Sequence, residues 1–120
     1  MAIDFTFPPE IESVRLRVRQ FVDGEVRPAE EKLRADRSDD ERADRHNLVA
    51  TIVSLRGKAK EWGLWLPHMP AEWGGMGLGP TAMAAVSAEA AKTGMGPFVL
   101  NCQAPDEGNQ HTLLHWATAE

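Results

Sequence analysis

Few side chains in this sequence could carry chemistry, and none of them completes a catalytic or metal-binding pattern. His111 and His115 are four residues apart, so on a helix they would share one face and could bind a metal ion together. The corresponding zinc-protease motif needs a glutamate at position 112, where this chain has Thr112, and Cys102 is the nearest further ligand candidate. We therefore expect no metal site, and an autonomous metal enzyme is a disfavoured alternative.

Nucleophilic and acid–base centres are incomplete in the same way. Cys102 has no base or positive group beside it in the sequence, which is typical of a small buried thiol. Asp106 and Glu107 are adjacent, and neighbouring residues on a helix do not face one another. The serines lie in helical or charged contexts without a nucleophile elbow. We expect no catalytic residue in this chain.

Three alternate glycines, Gly75, Gly77 and Gly79, could suggest a loop that binds nucleotide phosphates. That fingerprint requires a preceding β-strand and a following crossover helix, whereas here a helical pattern and a Trp-rich segment come first. Glycine also allows positive φ and close backbone approach. The glycines are therefore expected to serve backbone geometry, and we predict no cofactor-binding residue among them.

The glycines end a Trp-rich connector, residues 61–79, around which the chain is organised. Three of the four tryptophans and five of the ten glycines lie within it. Trp62, Trp65 and Trp73 can each bury a large apolar area. The connector is expected to lie as an irregular segment over a packed core.

Length and charge restrict the class of protein. A chain of 120 residues is long enough for one domain with its own core. Its net charge of -5 disfavours nucleic acid as a partner. A single cysteine excludes an internal disulfide, and no segment is typical of a signal peptide or a membrane span. These features predict a cytoplasmic protein without a membrane partner.

Helical periodicity accounts for most of the remaining sequence. Pro8 and Pro9 begin one pattern, which Pro28 should end or kink. Gly63 should cap a second helix, and Pro80 should begin a third. The apolar positions of these patterns are Ile11, Val14, Val18, Phe21, Val22 and Val26, then Leu48, Val49, Ile52, Val53, Leu55, Ala59 and Trp62 over residues 47–62, then Met83, Val86 and Ala90.

The rest of the chain is also predicted to be helical or irregular. The charged segment from Glu30 to Arg45 is expected to be a solvated helix end and a loop, and Gly94 and Gly96 should stop the third helix. Residues 98–100 form a short apolar segment, and a last pattern covers residues 110–117. No alternating strand pattern is found, so the predicted fold is all-α, an orthogonal or up-down bundle of about four to six helices. Thr118 to Glu120 is typical of a helix start, which predicts a piece of a longer protein.

Two segments together resemble the N-terminal α-helical domain of acyl-CoA dehydrogenases. Trp62-Gly63-Leu64 followed by Pro70 to Gly79 is similar to the family's "WGL" turn and "P-x-x-x-G-G-x-G-L" loop. Asn101 to Asn109 is similar to the "N-x-x-A-P-D-x-G-N" of a branch that acts on longer or unusual acyl chains. The resemblance covers nearly the whole chain, is weakest around residues 38–45, and assigns residues 1–120 to one N-terminal domain.

The resemblance implies a function that this chain serves without its own catalytic groups. Family members oxidise the Cα–Cβ bond of an acyl-CoA thioester with a glutamate base and FAD, and both sites lie mainly in later domains. The domain resembled here helps to wall the acyl pocket, so the fragment alone should be inactive and should not bind FAD. The substrate-binding residues that the resemblance implies are Phe98, Cys102, Glu107, Gly108 and Asn109.

The implied partners belong to the longer protein. They are the acyl-CoA substrate, an electron-transfer flavoprotein, and further copies of the protein in a homo-oligomer. An isolated domain would also expose an apolar patch around Trp73, Met76, Leu78 and Trp116 through which it could self-associate. The alternative is a self-contained helical interaction module without catalytic activity.

Overall fold

A computed structural model describes residues 2–120, and the all-α prediction is confirmed for this range, in which no strand occurs. The described chain contains six α-helices and two short helical segments of other types. The α-helices are α1 (Pro9–Phe21), α2 (Arg27–Ala35), α3 (Glu41–Glu61), α4 (Pro80–Ala90), α5 (Gly96–Leu100) and α6 (Asp106–Trp116). A π-helical segment, Val22–Val26, joins α1 to α2, and a 3-10 turn, Ala71–Trp73, lies in the connector.

The helical path continues past Pro28, so of the two predicted outcomes, an end or a kink at this proline, the end does not occur. The preceding five residues, Val22–Val26, widen into a π-helix, and the amide of Arg27 donates to the carbonyl of Val22. Proline lacks a donor, and in a regular α-helix its ring meets the carbonyl four residues earlier. The wider π turn gives the ring room, and Pro28 falls in the first turn of α2, where proline is tolerated.

Two other helix boundaries differ from the prediction, and for the first of them the reason is a side-chain cap. Helix α3 begins at Glu41 rather than near Asn47, since the Asp40 carboxylate accepts from the amides of Arg42 and Ala43. The last helix begins at Asp106 rather than at Gln110. Gly96 begins the short helix α5 instead of only stopping α4, and Thr118 to Glu120 form no helical turn.

The end of α3 agrees with the prediction. Gly63 has φ of +68°, and its amide donates to the Lys60 carbonyl while the Leu64 amide donates to that of Ala59. This pair of bonds is a Schellman motif, in which glycine avoids the strain of a left-handed residue. Leu64 and Ala59 are both fully buried. The motif therefore turns the chain from α3 directly into the core.

One core joins α1, α3, α4, α5 and the connector. Its buried members are Val18, Phe21, Val22, Val26, Leu55, Ala59, Leu64, Met83, Val86, Ala90, Met95, Val99, Leu100 and Cys102. Phe21 meets the edge of Trp62 with ring centroids 5.4 Å apart. The radius of gyration is 16.1 Å with a shortest extent of 24 Å, against about 14 Å for a compact chain of this length. The domain is thus a flat slab with large faces.

The exposed faces correct three expectations about apolar residues. Trp73 is 63% exposed rather than anchored, while Pro67, His68 and Met69 are buried in its place. Met76 and Leu78 pack against the core, so the predicted patch is reduced to the exposed Trp73 and Trp116. The first half of the α3 stripe is also uncovered: Leu48, Val49 and Val53 are 40%, 55% and 63% exposed. No helix within residues 2–120 has the length and hydrophobicity to cross a membrane.

A buried carboxylate connects α1 to α4. Glu89 on α4 is 4% exposed, and its oxygens lie 2.6 Å from Arg15 Nη1, 2.8 Å from Arg19 Nη2 and 2.7 Å from Lys92 Nζ. Burial by itself raises the pKa of Glu89, but hydrogen bonds from Arg19, Lys92 and Arg15 outweigh it and lower the pKa from 4.5 to about 2. The charged form of Glu89 therefore stabilises the fold.

Acidification should remove this stabilisation. Because the folded-state pKa of Glu89 lies below the unfolded value, its contribution is present above about pH 4.5 and is lost as the pH falls toward 2. We expect a loss of about 2 kcal/mol over this range, reduced from the full pKa shift because Arg19 and Lys92 are partly exposed and screened. Urea unfolding of the chain and of Glu89→Gln at several pH values measures it. Equal pH slopes for the two proteins would contradict the assignment.

Candidate functional site

The five residues implied as substrate-binding lie on one corner of the slab, formed by α5, the following turn and the start of α6. We call residues 96–110 the α5–α6 corner. A close approach fixes its start, because a Cβ on Gly96 would lie 2.0 Å from the Ala90 carbonyl oxygen. The Gly96 amide donates to Thr93 Oγ1 at 3.0 Å. The corner is therefore held tightly against the end of α4.

Helix α5 ends at a left-handed asparagine. Asn101 has φ of +57°, and its backbone amide donates to the Phe98 carbonyl. Asparagine is the residue other than glycine that best tolerates this conformation. The next amide, of Cys102, donates to the Pro97 carbonyl at 3.0 Å, while the connector amide of Leu66 donates to Leu100 at 3.1 Å. These bonds place Cys102 beneath the corner and tie the corner to the connector.

The structure separates the five residues by depth. Phe98 is 47% exposed on α5, Cys102 is buried, and Glu107 is half-buried. Gly108 and Asn109 are exposed on the first turn of α6. A Cβ on Gly108 would meet nothing within 4 Å, so an open space lies above it. The corner thus presents an aromatic ring and an exposed glycine on a helix surface, while the thiol is buried.

Cys102 is a poor nucleophile in this position. Burial, with a smaller effect from the nearby Glu107 carboxylate, raises the pKa of the thiol from 9.0 to about 11. A thiol with this pKa is almost entirely protonated at neutral pH. Its accessible chemistry is therefore that of a small apolar group.

Three buried polar atoms lie near the corner, and nothing in the sequence predicted them. His68 is buried and its Nε2 lies 2.6 Å from Oε1 of Gln110, so Nε2 carries the proton and donates it. His68 Nδ1, Asn101 Oδ1 and Gln103 Oε1 have no hydrogen-bond partner among the described residues. The rings of His68 and His111 are 5.3 Å apart. The connector therefore holds α6 through a histidine whose sequence context, between two prolines, gave no signal.

The other candidate centres do not assemble in the part of the chain that the structure describes. His111 and His115 are both exposed, and no group of three or more His, Cys, Asp or Glu residues within residues 2–120 could hold a metal ion. Asp106 Oδ2 accepts from Gln103 Nε2 at 3.2 Å, a contact typical of a helix start. These residues shape the turn, and no nucleophile–base pair is formed by them.

The glycine loop is closed on itself. The amide of Gly77 donates to the Met69 carbonyl at 2.8 Å, that of Leu78 to Pro67 at 3.0 Å, and that of Gly75 to Pro70 at 3.1 Å. A phosphate-binding loop needs its amides free to point at the ligand. Gly74 and Gly77 have φ of +80° and +64°. The expectation that these glycines serve backbone geometry agrees with this arrangement.

The family model and the curated relatives that match this chain indicate the same family. The family model described as acyl-CoA dehydrogenase, N-terminal domain, matches residues 8–120. "Acyl-CoA dehydrogenase family member 11" of Rattus norvegicus is 36% identical over 105 residues, which are 85% of this chain and 13% of that protein. "Probable acyl-CoA dehydrogenase FadE2" of Mycobacterium tuberculosis is 31% identical over 121 residues, 98% of this chain and 28% of that protein.

"Acyl-CoA dehydrogenase family member 10" of Mus musculus is 29% identical over 117 residues, which are 93% of this chain and 11% of that protein. This chain therefore spans a small part of the length of the curated relatives it matches. No solved structure matches the chain.

The loop geometry predicts how individual glycines respond to substitution. A Cβ on Gly75 would lie 2.0 Å from the Met69 carbonyl oxygen, so Gly75→Ala should destabilise the chain by about 3 kcal/mol through backbone displacement. Gly79→Ala is the matched control from the same loop, since nothing lies within 4 Å of its Cβ and its φ is negative. Thermal unfolding of both variants compares them. Equal stability would show that the connector does not adopt this packing.

Proposed function

Since this chain belongs to the acyl-CoA dehydrogenase family through its N-terminal domain, we propose that residues 1–120 form that domain of a longer flavin-dependent enzyme and build part of its acyl pocket wall. The enzyme would remove hydrogens from the Cα and Cβ atoms of an acyl-CoA thioester and pass electrons to an electron-transfer flavoprotein. The observation that carries the wall role is the α5–α6 corner. Phe98, Gly108 and Asn109 are exposed there, and a Cβ on Gly108 would meet nothing within 4 Å.

The chemistry of the corner suits an acyl chain. Ligand pockets present mainly apolar surface with few polar groups. Phe98 offers an apolar ring, Gly108 leaves the helix surface without a side chain, and protonated Cys102 lies behind. Glu107 is the one carboxylate among the five residues; it is half-buried, and its charge acts on the Cys102 thiol. The corner can therefore border the pocket without taking part in proton transfer.

Rigidity of the corner supports the same role. The Arg56 Nε donates to the Phe98 carbonyl at 3.0 Å, and His68 holds Gln110 on α6. A pocket wall selects among substrates only if it keeps its shape when they bind, because discrimination depends on unfavourable contacts with acyl chains of the wrong length. Contacts from α3 and the connector provide this support on both sides of the corner.

Exposed apolar side chains support a packing role for the rest of the surface. Leu113 and Trp116 on α6 are 63% and 83% exposed, and Trp73 in the connector is 63% exposed. Such side chains on one domain are typical of surfaces that meet another domain or protein. A self-contained interaction module would use the same residues, so the pocket and flavin measurements below distinguish the two functions.

The flavin that the family implies does not fit the glycine loop of this chain. The amides of Gly75, Gly77 and Leu78 already donate to carbonyls of the connector. We therefore assign no step of the reaction to a flavin held by the described residues. The contribution of this chain is to border the substrate and to pack against the domains that hold the cofactor.

The pocket-wall role predicts a change in chain-length preference. In the longer protein, Gly108→Leu should fill the space above α6 and reduce kcat/KM for long acyl-CoA substrates at least tenfold relative to short ones. Gly57→Leu is the matched control, because Gly57 is also a helical, exposed glycine with nothing within 4 Å of its Cβ. Kinetics over a series of acyl-CoA lengths measures the ratio. An unchanged ratio in Gly108→Leu would remove Gly108 from the pocket wall.

If the other domains of the longer protein hold the cofactor, the 120-residue chain alone should retain no FAD. The chain and the longer protein are each incubated with FAD, desalted, and compared by visible absorption. We expect a retained flavin band from the longer protein only, because the loop amides of this chain are occupied. Stoichiometric flavin on the short chain would contradict the proposal.

A further inference from the structure

Helix α3 carries a row of basic and apolar side chains on its outer face, which we call the basic stripe. Its members are Arg42, Arg45, Val49, Val53, Arg56 and Lys60. Successive members are three or four residues apart, so at 3.6 residues per turn they form one line along the helix. The line is about 27 Å long at 1.5 Å per residue. The basic stripe is formed by one helix, and its presence does not depend on the proposed function.

The four cations of the stripe are not neutralised by an acidic side chain of the described residues. None of them forms an ion pair with another residue in the range 2–120, whereas Lys58 on another side of α3 pairs with Glu25. The acids of α3 lie near its two ends: Glu41 and Asp44 at the start and Glu61 at the end. Asp44 accepts from Ser38, and Glu41 stands one turn before Arg45 at the start of the helix. A chain with a net charge of -5 thus concentrates positive charge on one face.

Apolar and aromatic groups accompany these cations. Val49 and Val53 are 55% and 63% exposed between the two pairs of basic residues. At the end of the stripe, Arg56 Cζ lies 5.3 Å and Lys60 Nζ 4.9 Å from the ring centroid of Trp65. These cation–π contacts hold both side chains over the connector, and Phe98 extends the apolar surface beyond them.

No other helix covers the outer part of the stripe. A groove of about 1090 Å³ separates α2 from α3, and it is lined by Leu48, Thr51, Ser54, Leu55 and Lys58 from the opposite side of α3. Arg45 is the one stripe residue that borders this groove. The stripe therefore faces outward while α2 packs on the other side.

We propose that the basic stripe docks the domain on an anionic lipid surface. Interfacial segments combine Lys and Arg with apolar side chains and aromatic rings, and the cations are attracted to anionic headgroups. A phosphate backbone of nucleic acid offers no apolar layer for the two valines. An acidic protein would need carboxylates at the spacing of the stripe, whereas anionic lipids diffuse to meet a row of charges. The expectation of no membrane partner rested on the absence of a spanning segment and did not address surface contact.

Sedimentation with vesicles tests this proposal. The probes are vesicles of phosphatidylcholine alone and of phosphatidylcholine with phosphatidylglycerol, at low and high salt. We expect binding of the 120-residue chain to the anionic vesicles only, weakened by salt. Each removed cation should weaken binding roughly fivefold, so Arg42→Glu combined with Arg45→Glu should weaken it at least about 25-fold. Val53→Ser should weaken the binding that remains at high salt.

A matched control separates the stripe from general charge. Lys32→Glu combined with Arg34→Glu changes the same net charge on exposed residues of α2, which are also without ion pairs in the described chain. These control substitutions should leave vesicle binding within about threefold of the original. Circular dichroism confirms that each variant folds, since all four positions are exposed.

Three results would overturn the proposal. One is the absence of binding to anionic vesicles, and another is equal loss of binding in the α2 control. The third is that the chain binds heparin but not anionic vesicles, and that the stripe substitutions abolish the heparin binding. This result would assign the stripe to an acidic protein or nucleic acid instead.

Discussion

A buried carboxylate, Glu89, is surrounded by three cations that favour its charged form, and these contacts connect the N-terminal helix to the rest of the domain. Removing one partner from such a group leaves an uncompensated charge away from water, which destabilises more than the intact group stabilises. Arg15 and Arg19 come from α1, and Lys92 follows α4. The relative position of α1 and α4 is therefore fixed by charge as well as by the apolar residues between them. Because α1 continues into α2 through the π-helical segment, the same contact also positions the helix that borders α3.

Two close backbone contacts continue this framework to the α5–α6 corner. Gly75 brings the connector onto the Met69 carbonyl, and Gly96 brings α5 onto the end of α4. In each case a side chain of any size would displace the backbone, so the contact requires glycine. These contacts let a thin slab hold a rigid corner without a thick core beneath it. The shape leaves two faces available: the corner, which suits a substrate wall, and the outer side of α3, which carries the basic stripe.

The two faces suit partners of different chemistry. The corner offers apolar surface and open space with one partly covered carboxylate, which suits a neutral chain. The stripe offers unpaired cations separated by small apolar residues, which suits a charged and fluid surface. Arg56 belongs to both, since its guanidinium lies over Trp65 and its Nε donates to the Phe98 carbonyl. A contact on one face is thus close enough to affect the other.

The sequence by itself determined the helical class, the glycine cap at Gly63, the helix start at Pro80 and the family resemblance, because each depends on residues close together in the chain. It also indicated the residues of the corner, through the family resemblance and not through their geometry. Tertiary structure alone decided the rest. Glu89 accepts a hydrogen bond from Arg15, which lies 74 positions away in the sequence, and His68 is hydrogen-bonded to Gln110, 42 positions away. Trp73 stays exposed although its size suggests a buried anchor. Passage of the helix through Pro28 needed the π-helical turn before it. Periodicity and capping act over one or two helical turns, whereas burial and charge pairing depend on which distant segments the folded chain brings into contact.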